Sequence, residues 1–137
     1  MPTVVAHDLA HAQAAARAAV AEGVALTVAS PPFAARGMGV ACWLAIVEAT
    51  KQAVPSADIA FSLDCADCPG DAHTAIAFGA KQVMLDAHVP AHDAVRRLAE
   101  AEGASLEARS MPDLDLAFVH DPEAAIRRLI QTTSQGG

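Results

Sequence analysis

Tyrosine is absent from this 137-residue chain, tryptophan occurs once, and aromatic residues make up only 4%. A core without large rings must be filled by small and aliphatic side chains. The 53% hydrophobic content, rich in alanine, supplies them. Basic residues are also scarce. Nine Lys and Arg stand against sixteen Asp and Glu, for a net charge of −7. Phosphate backbones call for a basic stripe, so no nucleic-acid partner is expected. The two dense pairs, Arg96-Arg97 and Arg127-Arg128, fall in expected helices and read as solvated faces. Long apolar runs are missing too, because Gly, Pro or a charge interrupts each one. No membrane-spanning helix is therefore expected. The first residues, Met-Pro-Thr-Val-Val, lack the basic start and cleavage pattern of a signal peptide. Three cysteines are an odd number, which suits a reducing cytoplasm better than a disulfide scaffold.

What remains is a regular alternation. Residues 3–6 (TVVA), 25–29 (ALTVA), 59–63 (IAFSL), 82–85 (QVML) and 105–108 (SLEA) read as short strands. Between and after them lie helical stretches. The first runs to about Ala21 and stops at Gly23, and the second spans residues 40–53 and ends before Pro55. The third runs to Phe78, with Asp71 as N-cap and Gly79 as C-cap. The fourth opens at Pro90 and runs to about Glu102. The fifth has Asp121 as N-cap and Pro122 at the first helical position, and runs to about Thr132. Residues 109–120 read as a long connection, and residues 134–137 as a disordered tail behind a single domain of residues 1–133. Five strand–helix units imply an α/β fold with a parallel sheet and right-handed crossovers.

In parallel α/β folds, ligands gather at the C-terminal ends of the strands. The residues at those ends are His7 and Asp8, Ser30, then Asp64, Cys65, Asp67 and Cys68, then Asp86 and His88. Glu107 sits inside the fifth strand. If the strands share one rim, these carboxylates, imidazoles and thiols form the donor set of a transition-metal site or a general acid–base. Several have plainer readings. Asp8 reads first as a helix N-cap. Cys65-x-x-Cys68 lacks the second pair of a structural zinc site. Cys42 reads as a small core residue within a helix. His73 and His92 read as solvated residues of first helical turns, and His120 as a loop residue. Asp64 and Asp86 directly follow apolar strands, where a carboxylate is partly desolvated. A charge at Glu107 calls for a polar lumen, a sheet edge or a partner.

The order of these features resembles the class II, metal-dependent fructose-bisphosphate aldolases. The resemblance is carried by residues 59–64 (IAFSLD), 75–86 (AIAFGAKQVMLD) and 103–109 (GASLEAR). Residues 4–16 resemble that family's first strand and helix, residues 24–53 its second unit, and His120-Asp121-Pro122-Glu123-Ala124 the start of its fifth helix. The likeness covers nearly the whole chain, and it rests on order and spacing. It implies the first five units of an eight-unit TIM barrel, hence a parallel (βα)5 partial barrel. A flavodoxin-like, doubly wound five-stranded sheet is the alternative. It also implies roles. Asp64 stands where the family has its catalytic acid/base, with Asp86 and Glu107 beside it as further catalytic candidates. Cys65 stands where the family has a metal-binding His. Glu107 matches a Glu that serves the metal site, and His88 matches a metal-binding His once a one-residue gap is allowed. Ser30 matches a Ser near the substrate, and His7 joins it as a candidate substrate-binding residue.

Zinc or another divalent ion, held by Cys65, His88 and Glu107, is the cofactor so implied. The family's phosphate loops and remaining metal-binding His residues belong to later units, which have no counterpart here. Two functions are therefore expected. One is a diverged aldolase-like module with an incomplete metal site, acting by binding or regulation as a homo-oligomer with a small-molecule ligand. The other is a metal-dependent lyase or isomerase of a small carbonyl or sugar phosphate compound, completed by oligomerisation. A partial barrel leaves the first and fifth strands as free edges, which favours self-association.

Overall fold

Short β-branched runs alternate with alanine-rich stretches, and each type folds as its period dictates. The computed structural model, which describes residues 1–135, contains six strands and five α-helices. The chain forms two compact units. The first holds residues 1–29, 46–60 and those from 112 on. The second holds residues 30–45 and 61–111. Every strand pairing within either unit is parallel, as the alternation predicts.

In the first unit, β1 (Thr3–Val5) lies between β2 (Leu26–Ala29) and β6 (Leu114–Asp115). Val4 faces Val28 on one side and Leu114 on the other. Helix α1 (Leu9–Glu22) follows β1. Asp8 caps it as expected: its Oδ1 accepts the His11 N–H at 2.8 Å. Gly23 ends it in the left-handed conformation, at φ 64°. Six alanines of α1 are buried, and the small side chains let α5 (Pro122–Gln135) approach closely through Ile126 and Ile130. Two ion pairs flank that seam, Arg17 to Glu123 at 3.2 Å and Arg127 to Glu22 at 2.9 Å. Hydrogen bonds from Arg127 and Gln131 hold the Glu22 carboxyl below its ordinary range.

In the second unit, β3 (Ile59–Asp64), β4 (Gln82–Met84) and β5 (Ser105–Glu107) run side by side. Leu63 faces Val83, and Val83 faces Leu106. All three are buried. Helices α3 (Pro69–Ala77) and α4 (His92–Ala101) belong to this unit. So does the start of α2 (Val40–Ala53), where Trp43 meets Phe61 edge to face at 6.4 Å.

Several expectations are corrected. The connection of residues 109–120 contains a sixth strand, β6, so β1 has neighbours on both sides instead of a free edge. The doubly wound order would put β3 in that place beside β1. At two residues β6 is shorter than a strand pattern needs, although Asp113-Leu114-Asp115-Leu116 does alternate polar and apolar. A π-helical turn at Ala35–Gly39 precedes α2. Helix α3 starts at Pro69, with Cys68 at the N-cap instead of Asp71. Proline has no N–H to leave unpaired at the first position, so the start moves ahead of the acidic residue. Helix α4 starts at His92, because residues 86–92 close two successive tight turns, Val89 N–H to Asp86 O and His92 N–H to Val89 O. Cys42 is exposed rather than buried: Trp43 and Thr50 mark the inner stripe of α2, and Cys42 lies off it. Helix α5 runs on through Gln135, and residues 136–137 of the expected tail lie outside the described residues.

No helix among the described residues is long and apolar enough to cross a membrane.

Candidate functional site

Strand β3 ends on Asp64, and its last residues are apolar or small, so the carboxylate is buried at 5% exposure. A carboxylate so placed needs partners for both oxygens. Oδ1 accepts the N–H of Ala66 at 2.7 Å. Oδ2 accepts Arg109 Nε at 3.1 Å and lies 3.1 Å from Arg109 Nη2. The backbone N–H of Asp64 donates to Ser30 Oγ at 2.8 Å, and Ser30 N–H donates to the Ser62 carbonyl at 2.9 Å. The Ser30 hydroxyl donates in turn to the Pro31 carbonyl at 3.2 Å. Ser30 and Asp64 are thus brought together at the ends of their strands. Asp64 itself is closed into an ion pair.

Arg109 continues outward. Its guanidinium carbon stands 5.0 Å from the centre of the Phe33 ring, a cation–π distance. Phe33 is exposed and has φ 62°, an unusual value for a bulky residue. Phe33 also lines a cleft of about 180 Å³ with Arg36, Cys65, Ala66, Asp67, Cys68 and Asp71. Arg36 comes from the π-helical turn. Its Nη2 donates to Cys68 Sγ at 3.1 Å, and its Nε lies 3.4 Å from Asp71 Oδ2. Asp71 first, then Cys68, stabilise the charge on the Arg36 guanidinium. Cys65 is buried at the back of the same cleft. Burial foremost, with the negative charges of Asp71 and Asp64, pushes its thiol up to about 12.

The other predicted residues of this unit are less connected. Asp86 is half-buried, and its Oδ1 accepts the His88 backbone N–H at 3.0 Å, leaving the exposed His88 ring out of the contact. Glu107 is exposed on β5, opposite Met84, so its charge is met at a sheet edge. Ser62, two residues before Asp64 and on the same strand face, is 1% exposed, and its hydroxyl has no hydrogen-bond partner.

His7 belongs to the first unit. Its Nε2–H donates to Asp115 Oδ1 at 2.6 Å. Its backbone N–H donates to His11 Nδ1 at 3.0 Å, which places the proton of a neutral His11 on Nε2. Burial raises the Asp115 carboxyl, but the Ala117 N–H and His7 outweigh it and leave that carboxyl below its ordinary value.

A resident metal would need a set of converging donors. A catalytic zinc takes about three protein ligands. Among the described residues, no group of three or more His, Cys, Asp or Glu side chains could hold a metal ion. Cys65, His88 and Glu107 do not form such a group. No catalytic step is therefore assigned to a metal.

Sequence reading missed Arg109, Phe33 and Arg36. Arg109 had one usable signal: a cation two residues beyond Glu107, level with the end of a strand where a carboxylate was expected. Phe33 and Arg36 sit in an irregular segment with no period. No family model matches this chain, and no curated protein matches it.

Proposed function

We propose that this chain is a diverged relative of the class II fructose-bisphosphate aldolases that binds a small ligand without catalysis. The observation that carries the reading is the state of Asp64. The residue at the position of the family's acid/base is buried, with one oxygen on a backbone N–H and the other on Arg109. A general base must reach its proton at hydrogen-bond distance, and a carboxylate that is buried and paired with a guanidinium is poorly accessible and weakly basic. Here the carboxylate instead holds the loop of Ala66 and the side chain of Arg109. The same pair fixes Arg109 against Phe33, and Phe33 forms one wall of the cleft. The old catalytic centre thus serves as the support of a binding wall.

The cleft offers an aromatic face, the Arg36 guanidinium and the acidic groups of Asp67 and Asp71. That mixture suits a small polar carbonyl or sugar phosphate compound, with Arg36 engaging an anionic group. Self-association belongs to the same reading. Phe33, Phe78 and Met111 are exposed on the second unit and Phe118 on the first, and β5 pairs only with β4 among the described residues. Light scattering is expected to give a mass above one chain, and a stable monomer would contradict that part.

The binding test is a titration of isotopically labelled protein with fructose 1,6-bisphosphate in the presence of a chelator. Amide shifts are expected at Arg36, Ala66 and Cys68. A response that appears only when zinc is added would instead favour the metal-dependent lyase.

A further inference from the structure

We propose that Cys65 and Cys68 form a reversible dithiol–disulfide pair, entered through Cys68 and oxidised by a low-molecular-weight disulfide. The inference does not depend on what the cleft binds. The two residues are joined by a tight turn in which the Cys68 N–H donates to the Cys65 carbonyl at 3.0 Å. Such a turn brings its first and fourth Cα atoms within about 7 Å. A disulfide spans Cα atoms about 4.4–6.8 Å apart, so little backbone movement is needed. Both residues line the same cleft.

Their surroundings divide the labour. Cys68 is partly exposed and stands at the N-cap of the nine-residue α3, where unpaired N–H groups favour negative charge. Its sulfur also accepts a hydrogen bond from Arg36 Nη2 at 3.1 Å. The sulfur of this partly exposed residue thus sits against a cation and a helix terminus, at the mouth of the turn where a dissolved disulfide can reach it. Cys65 is 1% exposed and cannot meet a dissolved oxidant, yet it lies one turn away from Cys68. Ala66, inside the turn, has φ 52°, a strained value for a residue with a side chain. Strained backbone of that kind clusters at active sites and switch segments.

The chemistry closes in two steps. The Cys68 thiolate attacks one sulfur of the oxidant RSSR, forming the mixed disulfide Cys68–S–SR and releasing RS⁻, which takes a proton from water. Opening of the strained turn at Ala66 then lets water reach Cys65, which gives up its proton to that water and attacks Cys68 Sγ. The Cys65–Cys68 bond forms, and a second RS⁻ leaves and is protonated. Two thiols are oxidised and one disulfide is reduced to two thiols. Arg36 loses its sulfur acceptor, so the cleft wall that it forms changes with redox state.

The test uses the full-length protein with oxidised glutathione, on a Cys42→Ser background that removes the exposed third thiol. Intact mass and peptide mapping are expected to show a product lighter by two hydrogen atoms, with Cys65 linked to Cys68. Cys65→Ser is expected to retain glutathione on Cys68. Arg36→Ala is expected to slow the reaction at Cys68 by about threefold or more. Dithiothreitol should restore both thiols. If both cysteines stay open to alkylation under excess oxidant, or if glutathione on Cys68 is never displaced, the proposal is wrong. The mapping of the Cys42→Ser protein decides the matter even if the Cys65 variant folds poorly.

Discussion

Replacing Arg109 by Ala leaves the Asp64 carboxylate, 5% exposed in the unaltered chain, with one backbone N–H as its remaining protein partner. Removing one member of a fully buried ion pair costs about 3–5 kcal/mol. The Arg109 side chain is 32% exposed, so water takes over part of its role and the pair is worth less. Discounting for this leaves about 2 kcal/mol. The lost cation–π contact with Phe33 adds about 0.5 kcal/mol at an exposed site. A loss of about 2.5 kcal/mol corresponds to a fall of roughly 8–10 °C in melting temperature for a chain of this size. Asp64→Asn alone should cost less, because an amide can still accept the Ala66 N–H. The double variant Asp64→Asn/Arg109→Ala should be more stable than the sum of the single changes, by at least about 1 kcal/mol. Urea denaturation of the four proteins measures this coupling. Additivity within about 0.5 kcal/mol would mean that the ion pair holds nothing, and the account of Asp64 would fall with it.

Other consequences follow from single positions. Gly23→Ala should destabilise by about 1 kcal/mol in thermal or urea unfolding. The cost is purely one of backbone conformation, because a methyl group there would meet nothing within 4 Å while φ stays at 64°. Ser62→Ala removes a buried hydroxyl that lacks a partner and should stabilise by about 1 kcal/mol, whereas a clear loss would show that the hydroxyl is bonded. Asp115 has a lowered carboxyl pKa in the folded chain, so its contribution is fully present above the ordinary carboxylate value and is lost as pH falls through the folded one. Stability should therefore decline below about pH 4, and His7→Gln should flatten that decline in acid titrations followed by circular dichroism.

The alternation of strands and helices was legible because each element carries its own period and stop. The cap at Asp8, the left-handed end at Gly23 and the Asp121-Pro122 start of α5 are local chemistry, and local chemistry survives in one dimension. Strand β6 was not legible: the alternation of Asp113-Leu114-Asp115-Leu116 is too brief to define a strand, and its pairing with β1 links positions 110 residues apart. The site divides the same way. Ser30 and Asp64 could be placed at strand ends, and they do share a hydrogen bond. Arg109 could not be assigned to Asp64, because a charge pair across 45 residues depends on which side chain beyond β5, two strands away from β3, turns inward. Glu107 and His88 were legible as polar residues near strand ends, but their exposure follows from β5 lying at an edge and from the turn that points the His88 backbone, not its ring, at Asp86.

The most direct test of the central claim is an aldol-cleavage assay with fructose 1,6-bisphosphate, run with protein supplied with zinc and, separately, with the Asp64→Ala variant. The account predicts no cleavage above background in either sample, because the Asp64 carboxylate is committed to Ala66 and Arg109. Cleavage by the unaltered chain that disappears in Asp64→Ala would contradict it and return Asp64 to the role of catalytic acid/base.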